Sequence, residues 1–404
     1  MKHLAAIAIA FCQLLSANPL QKAIDAAPPG SKLELPAGVY RGNIVIDKPL
    51  ILDGLNQKAV IEGEGKGHVI TVTSSHVTLQ NLTVRNSGES HATIDSAIAV
   101  KKSDRVSVLN NRIEDALFGV DFDQVNLSRI EGNFITSKPF DLGLRGDAIR
   151  LWYSNQNSLK KNHIYKSRDM VVWYSSGNII EDNHGEECRY SLHFMYAGKN
   201  RVQNNLFERN SVGIFFMYSN GTLAQNNTIR SSIGSFGVGL GMKDSSNFTV
   251  RNNTILYNAR GIYIDQSPFQ PGTLNRYENN RVLFNAVGVQ FHATQERSIF
   301  EGNTFKGNME VVINDTPGSK LERNEYHGNF WDDYEGFDRD KDGFGDIPFE
   351  HYAYADKIWL YNTALRFFYG SPVMSLLNFL ARMAPFSEPD RLAFDPKPLV
   401  KAQP

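Results

Sequence analysis

The chain has 404 residues, with 42 Lys and Arg against 43 Asp and Glu and a formal net charge of −1. That balance excludes the basic footprint of a nucleic-acid-binding protein and the charge run of an acidic tail. Hydrophobic residues make up 41% and glycines number 32, the composition of a folded chain with many turns.

Residues 1–17, "MKHLAAIAIAFCQLLSA", read as a secretory signal. Lys2 precedes an apolar run over 4–15, and the small residues Ser16 and Ala17 follow it. The run is too short to span a bilayer, so export with cleavage near Ala17 is expected. Cys12 would leave with the signal, so Cys188 remains without an intrachain partner, as a buried small hydrophobe or as a metal or redox group.

Residues 18–30, "NPLQKAIDAAPPG", predict a short amphipathic helix stopped by Pro-Pro-Gly. It is placed to cap the open end of a strand stack. Strand patterns begin in 32–54, and from about residue 77 the chain repeats. Runs such as "VLNNRI", "KKNHI", "VQNNLF", "AQNNTI", "VRNNTI", "YENNRV", "FEGNTF" and "LERNEY" recur, and in the later units a marker asparagine falls at 162, 183, 205, 227, 253, 280, 303 and 324. A period near 22 residues marks stacked units that cannot bury their faces alone. Each unit holds two or three short alternating runs and almost no helical pattern. The expected fold is all-β: a right-handed parallel β-helix over 18–330, its coils joined by a ladder of asparagine amides.

Alternation along the Gly-apolar strand sorts its side chains into core and outer columns. The core pairs read Val120/Phe122, Ile149/Leu151, Val171/Trp173, Leu192/Phe194, Ile214/Phe216, Val238/Leu240, Ile262/Ile264 and Val289/Phe291. The outer columns then contain His193, Met195 and Met217, with Met242 one residue past its column. Met195 and Met217 fall on successive coils, and thioethers beside an imidazole favour Cu(I). Cys188 is a further candidate. Trp152, Tyr174, Tyr196, Phe215 and Tyr218 are expected to form an exposed apolar partner surface. The plainer reading of this set is ordinary packing, and His163, His184, His292, His327 and His351 taken singly say nothing.

In the region 331–355, "DRDKDGFGD" places Asp338, Asp340 and Asp342 at positions 1, 3 and 5 of a calcium-type loop. Gly343 takes the turn, the Phe344 carbonyl is at position 7 and Asp346 at 9. Position 12 is Phe349 rather than Glu, so this is not a regular EF-hand, and the competing reading is a solvated acidic turn. The segment 356–404 opens with an apolar helical pattern split by Gly-Ser-Pro, neither half long enough to span a bilayer. Trp359, Phe367, Phe368, Leu376, Leu377, Phe379, Leu380 and Met383 form its apolar face, for packing on the solenoid or for docking. The Pro-rich end of the chain reads as an extended tail.

The secretory start, the entry "LPAGVYRGNIVIDKPLILDG", the NN-repeat, "HGNFWDDYEGFDRDKDGFGDIPF" and "GSPVMSLLNFLARMAPF" together resemble the NosD family of periplasmic maturation factors for nitrous oxide reductase. The resemblance covers essentially the whole exported chain. It implies a non-enzymatic periplasmic accessory of an ABC transporter, held at the inner membrane through a permease with a cytoplasmic ATPase. Such a protein supplies copper for the reductase's copper-sulfide centre. A lipoprotein copper chaperone and the apo-reductase are the further partners implied, and Cu(I) is the metal. The stretch 356–386 then becomes the transporter-docking element, and Ca2+ at 338–346 a structural ion. No family motif assigns the copper positions. The alternatives are a carbohydrate-active β-helix enzyme, a lyase, hydrolase or epimerase, and a carbohydrate-binding solenoid. Asp121, Asp123, Asp147 and Asp169 lie near the outer columns, but the paired Asp-Asp and Gly-His-Gly blocks of a galacturonase are missing.

Overall fold

The computed structural model describes residues 6–8, 18–354, 358, 362–368, 371–384 and 389–402. The chain is an all-β, right-handed parallel β-solenoid whose complete coils give one strand to each of three parallel sheets. It divides into two compact units, one ending at Ile214 and the other starting at Phe215.

In the first unit the helix Pro19–Ala26 is capped as its sequence dictates. The Asn18 side chain accepts from the Leu20 and Gln21 amides, Pro19 begins the helix, and Leu20 and Ile24 are buried. Ala6–Ala8 pair in parallel with Lys32–Glu34; the rest of 1–17, where the secretory start is read, lies outside the described residues. A representative coil runs Ser158–Lys160, His163–Tyr165 and Asp169–Trp173. The next runs Ile179–Glu181, His184–Glu186 and Tyr190–Met195, paired strand for strand with the first.

The asparagine ladder forms at the turn between the first two strands of a coil. The amides of Asn111, Asn133, Asn162 and Asn183 each donate, at 3.0 Å, to the side-chain oxygen of the next asparagine, ending at Asn205. The Nδ2 group also donates back to a main-chain carbonyl, as Asn183 does to Leu159, and Oδ1 accepts a main-chain amide, as Asn183 does from Asn162. One side chain therefore satisfies polar groups on three coils that burial would otherwise leave unpaired, which neither Ser nor Asp can do alone.

The strand register corrects two of the expected columns. Leu151 pairs with Val172 and Trp152 with Trp173, so Met170 and Val172 occupy the core while Val171 and Trp173 face outward. A continuous apolar run, Met-Val-Val-Trp, carries no alternation to fix its phase, and the register to the following coil shifts between Asp169 and Val171. In the second unit Leu240 pairs with Ile262 and Met242 with Ile264. Met242 is thus a core residue, fully buried, whose thioether accepts from the Tyr277 hydroxyl at 3.3 Å. The loop inserted at 231–237 displaced the counting by two residues.

In the second unit a ladder runs from Asn227 through Asn253, Asn280 and Asn303 to Asn329. Asn324, expected as the last marker, instead accepts the Ser298 amide at another turn. The ladder ends on Asp395, fully buried, which takes hydrogen bonds from the Asn329 amide, the Asn329 side chain and Trp331 Nε1. Asp395 lies on Asp390–Asp395, which pairs antiparallel with Phe349–Ala353. What reads as an extended tail therefore includes a strand that closes the hydrogen bonding of the last coil. Between these strands the helix Pro372–Met383 starts at Ser371, whose hydroxyl accepts the Met374 amide. Among the described residues no helix is long and apolar enough to cross a membrane.

Candidate functional site

The outer face of the third sheet in the first unit gathers the charged groups. Arg150 Nη1 donates to Asp121 Oδ1 at 2.7 Å, and its guanidinium lies 4.9 Å from the Trp152 ring centroid. One coil on, Asp169 is gripped by both ends of the Arg189 guanidinium and accepts the Tyr190 amide. The His193 Nδ1 atom is 3.6 Å from Asp169 Oδ2, and the His193 ring is stacked on Tyr190 at 4.7 Å.

A second carboxyl, Asp147, stands close to this group under different conditions. Its Oδ1 is buried with no hydrogen-bond partner, and Arg168 Nε, 4.0 Å away, is likewise buried and unpartnered. Burial, reinforced by the charge of Asp169, raises the Asp147 pKa to about 7 despite the pull of Arg168 and Arg189. Burial acts on Asp169 as well, but His193 and Arg189 outweigh it and hold that carboxyl below its ordinary range. At neutral pH one acid of the pair is ionised and the other is shared between its protonated and ionised forms.

Met195 follows His193 by two residues on Tyr190–Met195 and is half-buried. His193 is mostly covered, with 12% of its side chain exposed, and Asp169 lies on the Nδ1 side of its ring. This is the arrangement in which a carboxylate orients an imidazole for a ligand on its other nitrogen. The remaining copper candidates fare differently. Met217 is half-buried in the second unit. Met242 is in the core, as described. Cys188 is buried, and desolvation pushes its thiol up to about 12, so it is a protonated core residue rather than a thiolate ligand.

Of the expected partner surface, Trp152 meets Trp173 edge-on at 4.7 Å. Tyr153, Tyr174 and Tyr196 stack in parallel at 4.9 and 5.0 Å. All three occupy left-handed turn positions, with φ of 46°, 48° and 49°. Such a conformation costs about 1–2 kcal/mol for a residue with a Cβ, and stacking along the turn offsets part of it. Tyr196 and Tyr218 are exposed, whereas Phe215 is not: at 3% exposure it lies beneath Phe236 and Tyr263 in the second unit. Phe215 leaves the core column as expected but is covered by neighbouring aromatic rings.

Asp338, Asp340 and Asp342 do converge, with one oxygen of each within 4.8 Å of the others. Asp338 Oδ2 accepts the Gly343 amide while its Oδ1 is buried without a partner; Asp346 turns to accept the Arg339 amide, and the Phe344 amide donates to Asp342. Phe367, Phe368, Leu376, Leu377, Phe379, Leu380 and Met383 are all exposed, Phe367 and Met383 by 88% and 71%. Trp359 lies outside the described residues. Two features were missed in reading the sequence: the Arg189–Tyr190 clamp, whose signal is only a charged-aromatic pair before a strand, and the pairing of His163 with His184, whose signal is an Asn-His step on each of two successive coils.

A family model described as "Periplasmic copper-binding protein (NosD)" matches residues 131–336. A Pseudomonas aeruginosa protein named "Probable ABC transporter binding protein NosD" is 35% identical over 373 residues, covering 87% of this chain and 84% of its own. One of the same name from Stutzerimonas stutzeri is 30% identical, covering 92% and 86%. Among solved structures, the A-module of the Azotobacter vinelandii mannuronan C-5 epimerase superposes with TM-score 0.53 at 17% identity, over 76% of this chain and 93% of that one. The Streptococcus pneumoniae surface adhesin PfbA superposes with TM-score 0.54 at 14% identity, over 80% and 92%. At these identities an enzyme and an adhesin share the fold alone.

Proposed function

The chain belongs to the NosD family of periplasmic copper-binding proteins, and from that premise we propose that it works in the periplasm with an ABC transporter. There it supplies copper, as Cu(I), for assembly of the copper-sulfide centre of nitrous oxide reductase, without catalysing a reaction itself. The observation that carries this reading is a relationship spanning 87% of the chain to a protein named for ABC transporter binding. The exposed apolar helix Pro372–Met383 supports it: six large apolar side chains, Val373, Leu376, Leu377, Phe379, Leu380 and Met383, face solvent on twelve residues, an arrangement that calls for a partner. The transporter's permease is that partner. A lipoprotein copper chaperone and the apo-reductase meet the solenoid instead, with the tyrosine stack at 153, 174 and 196 as the contact surface.

Copper is cargo in this scheme. Met195 supplies a soft thioether and His193 an imidazole oriented by Asp169, a donor pair that suits Cu(I). The loop 338–346 takes Ca2+ as a structural ion; the fit rests on the buried, unpartnered Asp338 Oδ1 among converging carboxylates. The test is co-purification of the permease with the intact chain and with a chain lacking 372–383. The reading expects capture only by the intact chain, and equal capture by both overturns the docking role.

A carbohydrate-active enzyme is the second reading, favoured by one observation. Asp147 and Asp169 are neighbouring carboxyls with diverging pKa values beside Tyr190, His193 and Arg189, the pattern of an acid/base pair. Cleavage or epimerisation of uronate oligosaccharides by the purified protein, lost in Asp169→Asn, would establish it.

A further inference from the structure

The two histidines that mean nothing singly are brought together by the fold. His163 and His184 each follow a ladder asparagine, Asn162 and Asn183, and so occupy the same outer position on successive strands of the second sheet. Their rings lie face to face at 4.6 Å and 6°. Each Nε2 reaches a carboxylate one coil further along: His163 to Glu186 Oε1 at 2.8 Å, and His184 to Glu208 Oε1 at 3.0 Å. One ring nitrogen of each histidine and one oxygen of Glu186 lie within 4.8 Å of one another. The group is bounded: the register puts Phe134 before His163 and Leu206 after His184, and Phe134 meets the His163 ring edge-on at 5.2 Å.

Charge makes the arrangement unusual for a plain surface network. Glu186 and Glu208 are directly paired in register on adjacent strands and are 12% and 7% exposed by side chain, so two carboxylates face each other with little water between them. The Arg209 guanidinium contacts both, Glu186 at close range and Glu208 at 3.1 Å. Two carboxylates and one guanidinium sum to one net negative charge beside the two imidazoles.

We propose that His163, His184 and Glu186, with Glu208 in support, bind a borderline divalent cation such as Zn2+ or Cu2+, at a site separate from the Cu(I) donors on the third sheet. Two imidazoles and a carboxylate suit Zn2+ or Cu2+, and the set lacks the sulfur that Cu(I) favours. The half-exposed rings need only turn so that the three atoms close to the ~3.4 Å separation of tetrahedral ligands bonded at about 2.0–2.1 Å. Arg209 is the competitor: it occupies the Glu186 carboxylate that the metal requires, which tunes the site toward reversible binding. Stacked histidines on successive coils thus form a metal-exchange position on the solenoid wall. The proposal stands whether or not the chain carries Cu(I).

The experiment uses the full, untagged chain, titrated with Co2+ as an optical probe and with Zn2+ by displacement. Wild type is expected to bind one Co2+ with the visible absorption of a tetrahedral nitrogen-oxygen site, displaced by Zn2+. His163→Ala and His184→Ala each weaken binding by at least about tenfold, as loss of a ligand demands, while far-UV circular dichroism stays that of wild type. Arg209→Gln, which removes the competitor, leaves affinity equal or tighter. Absence of a tetrahedral spectrum, binding indifferent to both histidine substitutions, or Arg209→Gln weakening as much as the histidine variants would each overturn the proposal.

Discussion

Replacing Asp147 with asparagine should reveal this buried carboxyl, whose Oδ1 has no hydrogen bond, as a pH-dependent liability. The native pKa of about 7 lies above the ordinary carboxylate value, so the folded state holds the proton more tightly than the unfolded chain. The stabilisation linked to that proton is fully present below the unfolded pKa of about 3.9. It is lost as pH rises through about 7. A shift of about three units corresponds to roughly 4 kcal/mol at full ionisation. Burial of Oδ1 without a partner, with Arg168 4.0 Å away, is the structural origin of the cost. The substituted amide keeps the shape of the carboxyl and never ionises. Urea unfolding of both proteins should therefore show a stability gap favouring Asp147→Asn that widens by about 2–3 kcal/mol between roughly pH 5 and pH 8.5, most of it below neutrality. A gap independent of pH would refute the reasoning, because it would mean that Asp147 is ionised in the folded protein throughout and adequately paired.

Other consequences follow from the same geometry. Asn183→Ala removes the acceptor of the Asn162 amide and side chain and the donor to Leu159 and Asn205; it should lower stability by about 2–4 kcal/mol in urea melts. Met242→Ala opens a cavity in the second unit and should cost about 2–5 kcal/mol while leaving Cu(I) affinity unchanged, the reverse of what a ligand would show. Removing 372–383 should leave the thermal transition of the solenoid in place, since Met374 is the one side chain of that helix that is buried. Chelation by EDTA should lower the melting temperature of wild type but not of Asp338→Asn, with added Ca2+ restoring it.

The repeat made the solenoid legible because one asparagine per coil must serve neighbours above and below, and that need prints a period on the sequence. Column assignment held where strands alternate, as at Leu192-His193-Phe194-Met195. It failed where they do not: Met170 to Trp173 is apolar throughout, so its phase is set by coil register, and the insertion at 231–237 hid the burial of Met242. The copper and partner-surface candidates were legible as residue types; the fold decides that Cys188 is the buried small hydrophobe rather than a metal group, and shows that Phe215 is roofed by Phe236 and Tyr263. Asp395 was invisible for another reason. Its role as the stop of a ladder ending at Asn329 joins residues about 66 apart in sequence, and no local pattern encodes that meeting. The pairing of His163 with His184 was present in the sequence as two Asn-His steps at one phase of the repeat, and needed only the ladder to be aligned first.

The central claim, that this solenoid carries Cu(I) on the outer face of its third sheet, is tested most directly by anaerobic Cu(I) titration of the full chain against a competing chelator. Wild type is compared with His193→Ala, Met195→Ala and Met217→Ala. One tight equivalent is predicted, weakened at least about tenfold by loss of His193 or Met195; Met217→Ala reports on the second unit separately. Unchanged affinity in both His193→Ala and Met195→Ala would contradict it.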